Sequence, residues 1–419
     1  MNARRRIGKK TLKSVIKYGA LGTFGAQLTA IAAVTAVDEH RKRRNPQSGK
    51  FPASPPLEVQ ISDCQVTIYT DGMRLYDSML ETIESAQEYI YFETFIIKAD
   101  PVGFAFREAL IRAAERGVKV FIIQDSWGNL NQPPTITTYP PHPCIQVINF
   151  PLIRPGILTG QARQKGRDHR KILTADGKVG YVGGYNIGKL YAQHWRDTHI
   201  KITGPQVWEL ENAFVDMWNL YHSEKQTPLL DRNSPDWNPD LRAIVNTPAF
   251  NSHPVRASYL ESIDRAAKRV WITMGYFIPD QGLRMALIQA AQRGVDVRIL
   301  IPEYSNHIVA DWVGKPHYSE LLEHGVRIFL YHDAMIHAKT MTADGIWSTV
   351  GTTNIDRLSM AGNFEINMNI FSSDMAAAME EIFRRDLTNA SELTQEIWEE
   401  RSNWARLAER VLRPLGPLL

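Results

Sequence analysis

His169-Arg170-Lys171-Ile172-Leu173-Thr174-Ala175-Asp176 and His337-Ala338-Lys339-Thr340-Met341-Thr342-Ala343-Asp344 are two copies of one stretch. Each sets a Lys two residues after a His and an Asp five residues after that Lys. The match continues downstream as Gly183-Gly184-Tyr185-Asn186 and Gly351-Thr352-Thr353-Asn354. An acid then stands 28 residues beyond each His, Asp197 in the first copy and Glu365 in the second. Polar positions held in register over two separate stretches point to one unit built twice.

Working outward, the hydrophobic pattern alternates between strand and helix. Gln65–Tyr69 reads as a strand, Met73–Ser85 as a helix, Tyr89–Ile97 as an aromatic and β-branched strand, and Gly103–Arg116 as an amphipathic helix. Gly117 caps that helix, and Val118–Gln124 is the next strand. Such alternation predicts an α/β layered fold with a largely parallel sheet. The same pattern returns later: ALIRAAERGVKVFIIQD at 109–125 is echoed by ALIQAAQRGVDVRILIPE at 286–303, and Tyr89–Phe95 by Val270–Phe277. The seam falls in the Pro/Asn/Asp-rich segment from Gln226 to Asn251. The expected organisation is a basic N-terminus and linker over 1–57, a first α/β domain over 58–235, a second over 236–390, and a helical tail over 391–419 that ends at Pro414. A Pro-rich run from Gln132 to Pro143 interrupts the repeat as a loop, either a plain surface loop or one that overhangs the site.

The charge is unevenly placed. Residues 1–50 carry twelve Lys/Arg against Asp38 and Glu39, and because the whole chain totals +3 the remainder is mildly acidic. That distribution argues against a body that grips a long polyanion, so no nucleic-acid partner is expected. Tyr18–Val37 is twenty residues without a charge, enough to span a bilayer core as a helix. It reads as a single membrane anchor, as an export signal cleaved near Val34-Thr35-Ala36, or as an interfacial amphipathic segment. Seven basic residues before the segment, against four just after it, weakly favour a cytoplasmic N-terminus, which would leave the catalytic body outside. Trp398, Trp404, Leu407, Val411 and Leu412 in the tail either pack on the body or lie in a membrane interface. Cys64 and Cys144 fit neither a disulfide framework nor a metal cluster. His194 and His199 flank Asp197 without a second ligand cluster, so no metal is expected there.

The duplicated stretch has the chemistry of phosphodiester cleavage. In an extended strand His169 and Lys171 project to one face and Arg170 to the other. Asp176-Gly177 and Asp344-Gly345 read as hairpin turns into a second strand that returns Asn186 and Asn354 toward the His/Lys pairs. A neutral imidazole can attack phosphorus or exchange a proton, and a carboxylate on its other nitrogen fixes the tautomer, a role that suits Asp197 and Glu365. Two lysines, Lys171 and Lys339, and two amides can hold the non-bridging oxygens as charge grows. Asp176 and Asp344 complete the candidate set as motif members, read as turn residues or scaffold salt bridges. Trp127-Gly128, after a strand end, is a further candidate for lining the site.

These residues resemble the signature of the phospholipase D superfamily, H-x-K-x4-D followed by G-[GS]-x-N. Within it the chain is most similar to bacterial cardiolipin synthases, through HRKILTADGKVGYVGGYNIG, the WRDTH run at 195–199, HAKTMTADGIWSTVGTTNIDRLSMAGNFEIN and the terminal RPLGPLL. Thr352 stands where the family usually has Ser, and Asn354-Ile355-Asp356-Arg357-Leu358-Ser359 lacks the family's Pro. The resemblance implies two pseudo-symmetric domains sharing one interface active site, with no metal or organic cofactor. It implies His169 as the nucleophile that forms a phosphohistidine and His337 as the acid and then base. Lys171, Lys339, Asn186 and Asn354 would bind phosphoryl oxygens, with Asp197 and Glu365 orienting the histidines. The implied activity is a membrane-bound phosphatidyltransferase of the bacterial inner membrane, making cardiolipin from the anionic lipid phosphatidylglycerol. A hydrolytic phospholipase D shares every catalytic residue. A nucleic-acid phosphodiesterase and a silent membrane scaffold are the readings from other classes. The acceptor alcohol and the oligomeric state are left open.

Overall fold

The computed structural model describes residue 25 and residues 27–44, 46–152, 166–230 and 238–418. The first half contributes β1 (Leu57–Ile61), β2 (Cys64–Tyr69), β3 (Tyr89–Thr94), β4 (Lys119–Asp125), β5 (Ile145–Phe150), β6 (Ile172–Ala175), β7 (Val179–Gly183), the short β8 (Trp195–Arg196) and β9 (His199–Thr203). All but β8 form one sheet in the order β1-β2-β9-β7-β6-β3-β4-β5. The second half contributes β10 (Leu241–Asn246), β11 (Arg269–Met274), β12 (Asp296–Pro302), β13 (Arg327–Tyr331), the short β14 (Met335–Ile336), β15 (Lys339–Ala343), β16 (Trp347–Gly351), β17 (Glu365–Phe371) and β18 (Ala390–Leu393). Its sheet runs β10-β17-β16-β15-β11-β12-β13-β18. Seven strands therefore correspond in the same order, β2-β9-β7-β6-β3-β4-β5 against β10-β17-β16-β15-β11-β12-β13.

Neither sheet is largely parallel. Only β3-β4-β5 and β11-β12-β13 pair in parallel, while every other pairing in the two sheets is antiparallel. The expectation of a parallel sheet holds where a helix carries the chain back across the sheet, as helix Pro101–Glu115 does between β3 and β4. Asp100 accepts hydrogen bonds from the N–H groups of Val102 and Gly103 to start that helix, and Gly117, at φ +93°, turns the chain out of it. The motif strands obey the other rule: a tight Asp-Gly turn returns β7 antiparallel to β6, and β16 to β15.

Each half has its own core, around Leu75, Phe92, Phe106 and Ile122 in the first and Ile272, Leu287, Ile299 and Met341 in the second. A third core is shared. Ile172, Val182 and Ile200 pack in one cluster with Val350, Ile366 and Met368. At roughly 1.5–3 kcal/mol per buried aliphatic side chain, this cluster makes the seam between the halves a hydrophobic interior. Two further links cross the seam: β8 pairs in parallel with β14, and Asp168 bridges to Phe364. They hold together the two segments that carry the catalytic candidates.

Residues 27–44 are helical, and Ala30 and Val34 pack against Ile278, Trp312, Ala408 and Leu412. Residues 18–24 and 26 of the candidate anchor lie outside the described residues. Among the described residues no helix is long and apolar enough to cross a membrane. Part of the uncharged segment therefore packs on the body, because Ala30 and Val34, four residues apart, share one helix face. The tail is not one helix: β18 is followed by helices Gln395–Glu399 and Asn403–Leu412 and a 3-10 turn, Arg413–Leu418, that contains Pro414. The Pro-rich run holds one short helix, Pro134–Thr137, and buries Ile136 against the first core.

Candidate active site

His169 lies just before β6 and His337 just before β15, strands at the centre of their sheets. Main-chain bonds across the seam set both: His169 N–H donates to Phe364 O at 3.0 Å, and His337 N–H to Arg196 O at 2.7 Å. Each histidine therefore starts where the chain of the other half passes.

The carboxylates cross in the same way. Nδ1 of His169 bonds both Glu365 oxygens, at 3.0 and 3.1 Å, and Nδ1 of His337 bonds Asp197 Oδ2 at 2.6 Å. A carboxylate can only accept, so Nδ1 carries the proton and Nε2 keeps its lone pair. Burial lowers the pKa of His169 against the pull of Glu365. Burial and Lys339 bring His337 down to about 3. Both rings are thus neutral near pH 7. Burial would raise the pKa of Asp197, but Lys339 and His337 outweigh it and hold the group below the usual carboxylate range. Phe95 stacks edge-on to His169 at 4.9 Å, and Trp195 lies 4.9 Å from His337.

The two lysines are almost fully buried. Lys171 donates to His169 O at 2.6 Å and Lys339 to His337 O, which leaves each ammonium further donors. Burial depresses Lys171 to about 8 and Lys339 to about 7, against the opposing pull of Glu365 and Asp197 on both. Both lysines act on both histidines electrostatically, so the two copies of the motif make one site. Asn186 and Asn354 are also buried, and their side-chain carbonyl oxygens lack a hydrogen-bond partner among the described residues. Unsatisfied polar groups inside a fold are uncommon, and Asn354 lines one cavity with His169.

Asp176 and Asp344 are not brought to this centre. Each sits at φ near +55° in its hairpin turn, at the far end of the strand from the histidine. Asp176 accepts from the N–H groups of Gln87, Glu88 and Tyr89, and Asp344 from those of Ala267, Lys268 and Arg269, all within 2.8–3.0 Å. The turn reading stands for both. The partners are backbone N–H groups, so the salt-bridge alternative falls away. They tie each motif hairpin to the start of the neighbouring strand.

A cavity of about 520 Å³ opens on His169 and Asn354. Trp127 and Phe95 line it from the first half, while Tyr276, Ile278, Ile308 and Val309 line it from the second. Most of the wall surface is apolar, with Arg167, Asn306, His307, Asp356, Ser359 and Asn363 as polar points. Burial lifts Asp356 to about 7 although it caps the helix at Ser359.

The partners of several further residues at the site escape sequence reasoning. Thr352 donates to Glu365 Oε2, whereas a side chain on Gly184, its counterpart, would collide with Asp197. Arg196 forms a buried pair with Asp386 at 2.7 Å and bonds Asp197 O and Thr198 Oγ1. Arg170, on the opposite face from Lys171, is buried against Glu93. The charge beside Asp197 in the WRDTH run is the one signal that could have flagged Arg196, and it does not name the partner. His199 is buried with neither ring nitrogen hydrogen-bonded among the described residues, and burial takes it down to about 3.

The family model described as cardiolipin synthase, PLD-like domain, matches the chain twice, at residues 79–218 and 259–387. A cardiolipin synthase of Staphylococcus aureus is 33% identical over 369 residues, 85% of this chain and 74% of that protein. One of Listeria monocytogenes is 32% identical over 372 residues, 86% of this chain and 77% of its own length. Among solved structures, phosphatidylserine synthase of Haemophilus influenzae superposes with a TM-score of 0.67 over 90% of this chain and 98% of that one. At 12% identity that likeness concerns the fold.

Proposed function

Since the chain belongs to the phospholipase D-like cardiolipin synthase family and is a phosphatidyltransferase of that type, we propose that it makes cardiolipin from two phosphatidylglycerol molecules at a membrane. Nε2 of His169 attacks phosphorus and displaces the glycerol oxygen, leaving a phosphatidyl-histidine. His337 hands a proton to the departing glycerol. It then takes one from the hydroxyl of a second phosphatidylglycerol, whose oxygen attacks the phosphohistidine and frees His169. The proton count closes over the two steps.

His337 starts neutral before substrate binds, with a pKa of about 3. Entry of an anionic phosphodiester raises the proton affinity of the imidazole and of both lysines together. Lys171, Lys339, Asn186 and Asn354 hold the non-bridging oxygens, while Asp197 and Glu365 fix the tautomers. Each oriented donor of this kind typically contributes about 2.7–4 kcal/mol to the barrier reduction.

The single observation that carries the reading is the pair of buried imidazoles, each tied through Nδ1 to a carboxylate of the opposite half, beside a mainly apolar cavity. An apolar approach suits a lipid acceptor over water, which the intermediate must avoid. The test is incubation of purified protein with phosphatidylglycerol vesicles, with mass spectrometry of the products and His169→Ala as control. Cardiolipin and free glycerol, both lost in the variant, are expected. Phosphatidic acid in place of cardiolipin makes the protein a hydrolase.

A further inference from the structure

The two ends of the described chain meet behind one wall of the cavity. Helix 27–44 and helix Asn403–Leu412 share one apolar cluster through Ala30, Val34, Ala408 and Leu412. That cluster also holds Ile278, Ile308, Val309 and Ala310, and all four of these line the catalytic cavity. The apolar interior under the terminal helices therefore runs without a break into the wall of the site.

Each of the same helices also exposes large apolar side chains. Leu28 is 51% exposed and Val37 53% on the first helix, and Trp404 is 44% and Leu407 53% exposed on the second. Trp404 and Leu407, three residues apart, lie on one stripe of their helix. Arg406, Arg410 and Arg413 are exposed beside them. Glu409, the one acid between 403 and 413, is turned inward and buried against Arg401 at 3.2 Å. Arg and Trp around an exposed aliphatic stripe form the composition that lies in a headgroup layer, with the aromatic at the boundary and the cations at anionic phosphates.

From this continuity we propose that the paired terminal helices are the docking face for an anionic lipid bilayer, with Trp404 and Leu407 inserted, so that the cavity opens at the lipid surface. The proposal rests on the lipid-transferase reading above and adds where the lipid approaches. Acyl chains then pass along Ile278, Ile308 and Val309 toward His169 without crossing water.

The test is a polarity-sensitive fluorophore on Leu407→Cys in the full chain. Cys144→Ser is the background, because Cys144 is half-buried and Cys64 is buried. A blue shift with phosphatidylglycerol vesicles, absent with phosphatidylcholine vesicles and absent for the same label at the exposed Ile346, is expected. Vesicle binding without a shift at position 407, or no vesicle binding at all, overturns the proposal. A second variant, Trp404→Asp/Leu407→Asp, is expected to lose about tenfold or more in turnover on vesicles while keeping turnover of monomeric short-chain phosphatidylglycerol. Undiminished turnover on vesicles would count against the docking face. A blue shift in a protein that makes no cardiolipin from either substrate form keeps the docking face and removes the transferase reading.

Discussion

Glu365, in the second half, hydrogen-bonds Nδ1 of His169, in the first half, at 3.0 Å, and Asp197 does the same for His337 at 2.6 Å in the reverse direction. The equal spacing of 28 residues from each His to its acid reflects the duplication, and the hydrogen bonds run between the copies. Neither half can orient its own histidine. Glu365→Gln keeps the shape but allows the amide to donate to Nδ1, which permits the wrong tautomer. A fall in kcat of about 10²- to 10⁴-fold is expected, by analogy with other oriented imidazoles. In a double-mutant cycle, His169→Ala/Glu365→Gln should be no slower than His169→Ala alone. Additive losses would mean that Glu365 acts apart from His169.

The lysines set an alkaline limit. Burial brings Lys339 to about 7 and Lys171 to about 8, and the cationic forms are the ones that bind an anion. Free protein therefore loses its anion-binding charge as pH rises through 7 to 8, and kcat/KM should fall across that window. Lys339→Arg keeps its charge far above it, so the surviving activity should show a flatter alkaline limb. A wild-type kcat/KM constant to pH 9 would remove the lysines from substrate binding.

Much of this arrangement was legible in the sequence, because duplication makes a motif its own control. His169, Lys171 and Asn186 gain weight from His337, Lys339 and Asn354 at equal offsets, and the strand-turn-strand geometry follows from Asp-Gly between short β-rich runs. Periodicity could not give the direction of strand pairing. The helix-bearing β3-to-β4 step suggested parallel neighbours, while the four- and five-residue strands β6 and β7 pair by hairpin geometry. Partnerships such as Arg196 with Asp386, across the seam, and Thr352 with Glu365, within the second half, join residues through tertiary packing that local pattern does not encode. The uncharged N-terminal segment shows the same limit: its apolar face suits a bilayer and suits Trp312 and Leu412 equally well.

Asp176 and Asp344 should matter for stability and little for chemistry. Each carboxylate serves three main-chain N–H groups, so Asp344→Ala leaves those of Ala267, Lys268 and Arg269 without their acceptor. A loss of about 1–3 kcal/mol in urea unfolding is expected, with kcat of the folded variant close to wild type. The pH dependence has a definite sign. Burial would raise the pKa of Asp344, but the N–H groups of Arg269, Ala267 and Lys268 hold it below the ordinary value. The contribution is therefore complete above the unfolded-state pKa of about 3.9 and disappears as pH falls through the lower folded value. Wild type and Asp344→Ala should converge in stability toward acid pH.

Arg196 and Asp386 offer the sharpest test of the seam as a structural unit. The guanidinium leaves β8 of the first half and meets the carboxylate of helix Ser373–Leu387 through two hydrogen bonds, at 2.9 and 2.7 Å, with both side chains nearly inaccessible. Removing one partner of such a pair strands the other charge in a low-dielectric interior, at a typical cost of about 3–5 kcal/mol. Asp386→Ala should therefore unfold at clearly lower urea. Arg196→Met/Asp386→Leu, which removes both charges and refills the space, should recover most of that loss. Activity separates packing from positioning. Arg196 also bonds the main-chain oxygen of Asp197, the residue that orients His337. The double variant, although stable, should then show a lowered kcat with KM little changed. Wild-type kcat in the stable double variant would leave Arg196 a purely structural clamp, with Asp197 held by Tyr185, Thr198 and His337.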